Sequence, residues 1–253
     1  VDLYTHVIDW DEYRELMQAF FDADVIDVEL LYDNATLGVN YQQANKYGLK
    51  YILAGTNNAT EGMQIPKKWN WFKYDKRNIK ALAKRRGIKE LKTFPAIGTG
   101  GFIWNHFVKG VRFNSFLDYL DYNKFEALDD LEKNYGYKRY EYKHYESIFT
   151  RFYQGYILPR KFNVDKRKIH LATLVISKQM SREKALKALE GTPYLSDADV
   201  ETDLTYFLKK MRWSRKQLEE YIARPEIPHS NYSTERPVWD NLLAFYKYLF
   251  KSR

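Results

Sequence analysis

The chain has 253 residues, no cysteine and a formal net charge of +8, with 45% hydrophobic and 17% aromatic residues. That apolar content excludes wholesale disorder, the missing cysteines exclude disulfides and cysteine-ligated metals within these residues, and no apolar run is long enough to cross a bilayer. The length allows an α/β domain with a helical extension, and the positive balance points to anionic partners or, more plainly, to a solvated basic face.

VDLYTHVI, from Val1 to Ile8, alternates as a strand. Because the chain opens without methionine in what reads as an internal strand, residues upstream of Val1 are expected. No secretory signal is visible, so a cytoplasmic setting is expected. Asp9 and Glu12 have the spacing of a capping box, and Trp10, Tyr13, Leu16, Met17, Phe20 and Phe21 recur at helical spacing, which predicts a helix with one buried face. A second helix is expected from Ala35 to Tyr47, stopped by Gly48, then a buried strand LKYILAG from Leu49. Strand, helix, helix, strand favours a parallel sheet, whose ligands bind beyond the carboxyl ends of the strands.

GTNNATE, Gly55 to Glu61, lies at such an end. Gly55 permits close backbone approach, Thr56 and Asn57 offer neutral hydrogen bonds, and Glu61 suits a metal or a ribose hydroxyl; the plainer reading is a turn after a strand. Residues 66–95 interleave Lys and Arg with Trp69, Trp71, Phe72 and Tyr74. This pattern suits single-stranded nucleic acid or a phosphate-rich site, but an exposed basic helix near Asn78 to Arg86, with Ile79, Leu82 and Ala83 inward, explains it more simply. PAIGTGG, Pro95 to Gly101, reads as a hinge and domain boundary.

Aromatic helical pieces are expected at Phe102 to Val108 and Phe116 to Tyr119, followed by a short amphipathic helix from Lys124 to Lys133. KHYESIFTRFYQGYILPRKFNVDKRKIH, Lys143 to His170, then mixes cations with aromatics as a pocket for a phosphorylated ligand would. His144 and Glu146 do not share a helical face, and the scattered histidines show no paired-His signature, so no metal ligands are expected. Lys161, Lys166 and Arg167 are better placed for phosphoryl or nucleotidyl chemistry, with Asp165 orienting one of them; a solvated turn is the bland alternative. LATLVISKQ reads as a helix or buried strand. Ser181 caps a helix that Gly191 stops, Leu204 to Met211 is helical, Ser214 and Gln217 form a capping box ahead of Pro225, and Val238 to Phe250 closes the chain as an amphipathic helix.

The central run, continued by SKQMSREKAL, resembles the N-acetyl sugar amidotransferase family of bacterial surface-polysaccharide biosynthesis, as do LYTHVIDWDEY, KYGLKYILAGTNNATE and LDYLDYNKFEA. The resemblance implies an α/β, partial PP-loop (Rossmann-like, HUP-type) parallel-sheet domain over residues 1–95 and a mainly helical substrate or partner domain over residues 96–253. It implies an ATP- and Mg2+-dependent enzyme that adenylates an acetamido oxygen of a nucleotide sugar, with ammonia from a separate glutaminase subunit then yielding an acetamidino group, in O-antigen and lipopolysaccharide assembly. The family's phosphate loop and cysteine-rich segment are expected upstream of Val1. Carried over residue by residue, Gly55, Thr56, Asn57 and Glu61 become nucleotide-site candidates. Lys161, Lys166 and Arg167 become catalytic candidates, and Lys143, His144, Glu146, Arg151, Gln154 and Asp165 substrate-binding candidates. Two other readings stay open: a PP-loop RNA-modifying enzyme, although nucleic acid is not the expected partner, and a non-catalytic binding or scaffold subunit.

Overall fold

The computed structural model describes residues 2–139, 147–194 and 196–250, with residues 249 and 250 described by backbone alone. In chain order the elements are α1 (Trp10–Asp22), α2 (Leu30–Lys46), β1 (Tyr51–Ala54), α3 (Asn58–Glu61), α4 (Lys76–Arg85), α5 (Thr99–Ile103), β2 (Arg112–Ser115), α6 (Lys124–Tyr135), α7 (Ile148–Phe152), α8 (Leu158–Phe162), α9 (Arg167–Ile176), α10 (Arg182–Ala188), α11 (Asp197–Met211), α12 (Arg215–Ala223) and α13 (Arg236–Phe250). Helices dominate, and β1 and β2 form a two-stranded parallel sheet. The expected α/β character is present in that reduced form.

The N-terminal strand is not. Residues 2–9 have no regular secondary structure. Side chains hold this segment instead of a ladder: a His6 ring nitrogen lies 3.0 Å from the Thr93 carbonyl oxygen, and the Asp9 amide donates to Thr93 Oγ1 at 2.9 Å. Asp9 does cap α1, accepting from the Glu12 amide at 2.9 Å. The Glu12 carboxylate turns away from the expected box and accepts from the Lys92 and Thr93 amides at 2.7 and 2.8 Å. β1 also departs from expectation: its residues alternate between exposed and half-buried, so it is not a buried strand.

The chain forms two compact units, unit 1 from residues 1–52, 70–112 and 225–253, and unit 2 from residues 53–69 and 113–224. Neither follows a division at residues 95/96. In unit 1, α1 packs on α4, and Leu16, Phe20 and Phe21 of the one and Ile79 and Leu82 of the other are all without measurable exposure. Burying each such side chain contributes about 1.5–3 kcal/mol, which explains how the apolar spacing alone places these helices. α2 crosses Pro95 so closely that a Cβ on Gly38 would lie 1.9 Å from the Pro95 carbonyl oxygen. Asn34, fully buried on α2, donates to the Lys73 and Ile97 carbonyl oxygens at 2.7 Å each and accepts from the Ile97 amide at 3.0 Å. Glu235 also accepts from the Thr99 amide at 2.5 Å. The segment Pro95 to Gly101 is therefore anchored at several atoms inside unit 1 and is not the flexible linker that its glycines suggest.

Unit 2 is built on a helix that runs from α7 through a π-helical turn, Tyr153–Ile157, into α8. Phe152, Tyr153, Ile157 and Leu158 are buried along it, and Phe207 of α11 lies 4.9 Å from Phe152 between ring centroids. α10 and α3 pack on α9, α11 on α7 and α12 on α8.

Candidate functional site

The GTNNATE loop belongs to unit 2, where most of its polar groups are already paired. Asn57, extended and buried, accepts from the Thr60 amide at 2.9 Å and so caps the single turn of α3. Thr56 Oγ1 lies 2.9 Å from Ser115 Oγ at the end of β2. Asp118 takes both the amide and the side-chain nitrogen of Asn58, at 2.6 and 3.0 Å. A Cβ added to Gly55 would meet no atom within 4 Å, so nothing in the protein itself crowds that position. Glu61 ends α3. Because α3 packs on α9, the structure brings the GTNNATE loop to the helix that begins at Arg167.

The central stretch supplies the cations. Ser147 caps α7 by accepting from the Thr150 amide at 3.3 Å. One turn in, Arg151 donates from Nε and Nη2 to the two oxygens of Asp203, each at 2.6 Å, and the Tyr194 hydroxyl donates to the same carboxylate at 3.0 Å. Asp203 is only 1% exposed, so its charge depends on that bidentate partner. Lys161 Nζ donates to the carbonyl oxygens of Tyr221 and Arg224 at 2.7 Å each and lies 4.3 Å from the centre of the Tyr221 ring. It thereby satisfies the open carbonyls at the end of α12, where a cation also suits the helix dipole.

Arg167 performs a similar task. Its Nη2 pairs with Asp165 at 2.8 Å, while Nη1 and Nη2 reach the Ala188 and Gly191 carbonyl oxygens at 3.2 and 3.1 Å, tying the start of α9 to the end of α10. Three of the sequence-predicted cations thus hold unit 2 together. Gln154 lies in the π-helical turn and Lys166 immediately precedes α9, both half-buried. Arg160, exposed, has its guanidinium 3.6 Å from the centre of the Tyr156 ring. Lys143, His144 and Glu146 lie outside the described residues.

A second polar cluster, in unit 1, was not anticipated from sequence. His229 is 2% exposed, stacked on Trp71 with ring centroids 5.0 Å apart. Its Nδ1 lies 2.8 Å from Asn78 Oδ1, and its Nε2 accepts from the Asp27 amide at 3.3 Å. An amide oxygen only accepts, so Nδ1 carries the proton and the ring is neutral. Burial agrees, pushing the His229 pKa down to about 4. Asp27 is held by Lys73 Nζ at 2.7 Å and by the Trp71 amide at 2.6 Å. Burial alone would lower the Lys73 pKa, but the Asp27 and Asp33 carboxylates outweigh it and raise the net value. Nearby, Asp75 caps α4 through the Asn78 amide at 3.0 Å and accepts from Trp71 Nε1 at 2.8 Å and from the Glu235 amide at 2.9 Å. The contacts named in this cluster join side chains to one another and to backbone amides, which is how buried polar groups stabilise a fold. No sequence signal pairs His229 with Asn78, which is 151 positions away.

Among the described residues, no group of three or more His, Asp or Glu side chains is arranged to hold a metal ion. No described helix is long and apolar enough to cross a membrane.

The class defined by this geometry is a mainly helical protein with a small parallel sheet, whose cation-rich helical unit receives a capped loop at the end of β1. Residues 146–246 match the family described as LPS biosynthesis protein WbpG-like, C-terminal domain, which supports a lipopolysaccharide-biosynthesis assignment. Neither the curated proteins nor the solved structures give a match to the chain.

Proposed function

We propose that the protein acts in lipopolysaccharide biosynthesis as an ATP-dependent amidotransferase that converts an acetamido group of a nucleotide-linked sugar to an acetamidino group. The match of residues 146–246 to a lipopolysaccharide-biosynthesis domain carries this reading, and the sequence resemblance supplies the reaction. An amide oxygen leaves poorly until it is activated. Attack of that oxygen on the α-phosphorus of ATP releases pyrophosphate and forms an adenylated imidate; ammonia adds to its carbon, AMP departs with the oxygen, and the acetamidine remains. The resemblance implies that a separate glutaminase subunit supplies the ammonia.

In this reading Lys161, Lys166 and Arg167 face the phosphates, where positive charge offsets what develops at phosphorus and on the leaving group. The packing of α3 on α9 supports grouping Gly55, Thr56, Asn57 and Glu61 with that region. The test is incubation with ATP, Mg2+, ammonia and candidate nucleotide sugars. AMP together with a sugar product about 1 Da lighter, oxygen replaced by NH, supports the reading; AMP without any change in the sugar overturns it.

A second reading, a non-catalytic binding or scaffold subunit of the same biosynthesis, is favoured by one observation: Arg151, Lys161 and Arg167 all have structural partners. Complete absence of ATP binding by the folded protein would select it.

A further inference from the structure

In α13 the apolar residues Val238, Trp239, Leu242, Leu243 and Phe245 share one broad face, while Arg236, Asp240 and Lys247 line its edge. The first turn of that face is packed: Trp239 lies 4.8 Å from Phe72 and 5.2 Å from Phe102 between ring centroids. Beyond Trp239 the cover ends. Every residue from 240 to 248 is exposed, Phe245 by 61%. A helix with so wide an apolar face is ordinarily buried along its length.

The exposed surface continues onto a second element of unit 1. Phe102 also contacts Phe107, 6.5 Å away between centroids, in the π-helical turn Trp104–Val108. In that turn Trp104, Phe107 and Val108 are 54%, 61% and 60% exposed. Cations border the apolar side chains: Lys109 Nζ lies 5.9 Å from the centre of the Trp104 ring, and Lys247 is on α13 itself. The acid on α13, Asp240, is paired with Arg236 at 2.9 Å.

We propose that this surface of unit 1 binds the interface of an anionic phospholipid bilayer, with the α13 face and the Trp104–Val108 turn among the acyl chains and headgroups and the lysines against lipid phosphates. Aromatic and aliphatic side chains exposed together beside lysines suit the headgroup boundary. Nucleic acid would use the lysines and the rings but gains little from Val238, Leu242 and Leu243. The proposal does not depend on the amidotransferase reading.

The experiment is flotation of the protein with phosphatidylglycerol-containing vesicles and with purely phosphatidylcholine vesicles. Strong binding to the anionic vesicles alone is expected, weakened by salt. Phe107→Ser with Phe245→Ser should lower partitioning at least tenfold, and Lys109→Glu with Lys247→Glu should do the same, while all four exposed positions leave the melting temperature near that of the parent protein. Three results overturn the proposal. One is no anionic binding. Another is a parent dimer that the Ser variant converts to monomer while lipid binding is unchanged, which makes a second copy the occupant. The last is displacement of the protein from vesicles by oligo(dT) with the Ser variant binding lipid normally, which makes the surface a polyanion site.

Discussion

A few single residues test the structure most sharply. Gly38→Ala places a methyl group against the Pro95 carbonyl oxygen, backbone that cannot swing aside. Such overpacking costs about 1–3 kcal/mol, readable as a lower urea midpoint. Arg151→Ala leaves Asp203 buried with only the Tyr194 hydroxyl among its named partners. Because the guanidinium is 28% exposed, the loss should reach about 3 kcal/mol at most, short of the full penalty for a wholly buried pair.

His229 gives a pH signature. Its folded pKa is about 4, against an ordinary 6.5, so between those values the unfolded chain takes up a proton that the native ring refuses. Stability is therefore complete above about pH 6.5 and falls as pH drops toward about 4, by about 3 kcal/mol in all. Denaturation midpoints across that range should show the decline in the parent protein and a flatter profile in His229→Gln. An identical decline in both would place its origin elsewhere.

Among the elements, the helices were the legible part of the sequence. Ser181, Ser214 and Gln217 announced helix starts that the structure keeps, with Ser214 and Gln217 closing a full capping box. Caps act within a few residues, so local sequence suffices to read them. The strand expected at Val1 to Ile8 failed for the converse reason: β-branched alternation states a preference, and only a partner strand turns it into a sheet. Lys161 was read as a phosphate ligand on type and neighbourhood, yet two carbonyls at the end of α12 hold its ammonium. Lys161→Ala should therefore lower stability by about 1.5–3 kcal/mol whatever it does to turnover. For Lys166→Ala, an altered rate at unchanged melting temperature would tie that ammonium to the reaction. Arg167→Ala loses the α9–α10 clamp as well and mixes both effects.

At the scale of the whole molecule, the sequence read as two successive segments divided near PAIGTGG, whereas each compact unit is assembled from separated stretches of chain. Composition marks flexible-looking residues but carries no record of the distant side chain that holds them. Asn34 does this for Ile97, and His229 for Asn78. Expressing residues 1–95 and 96–253 as separate fragments should consequently yield no pair of folded halves: the first would strip buried Asn34 of Ile97 and buried Asn78 of His229. Cooperative melting of either fragment alone would contradict this. The candidate site was legible only as chemistry. Its cations and its loop were found, but apart from Asp165 beside Arg167 the partners that occupy Arg151, Lys161 and Arg167 lie 21 to 63 residues further along the chain.

The position of His229 has a further consequence for the order of events during synthesis. Asp27, Trp71 and Asn78 emerge from the ribosome long before the imidazole that joins them, separated from it by up to 202 residues. Domains translated early usually fold early. Unit 1 keeps these polar contacts open until residue 229 has been made. Unit 2 has its whole sequence by Arg224, so the part of the chain that begins later is the part that is able to finish first.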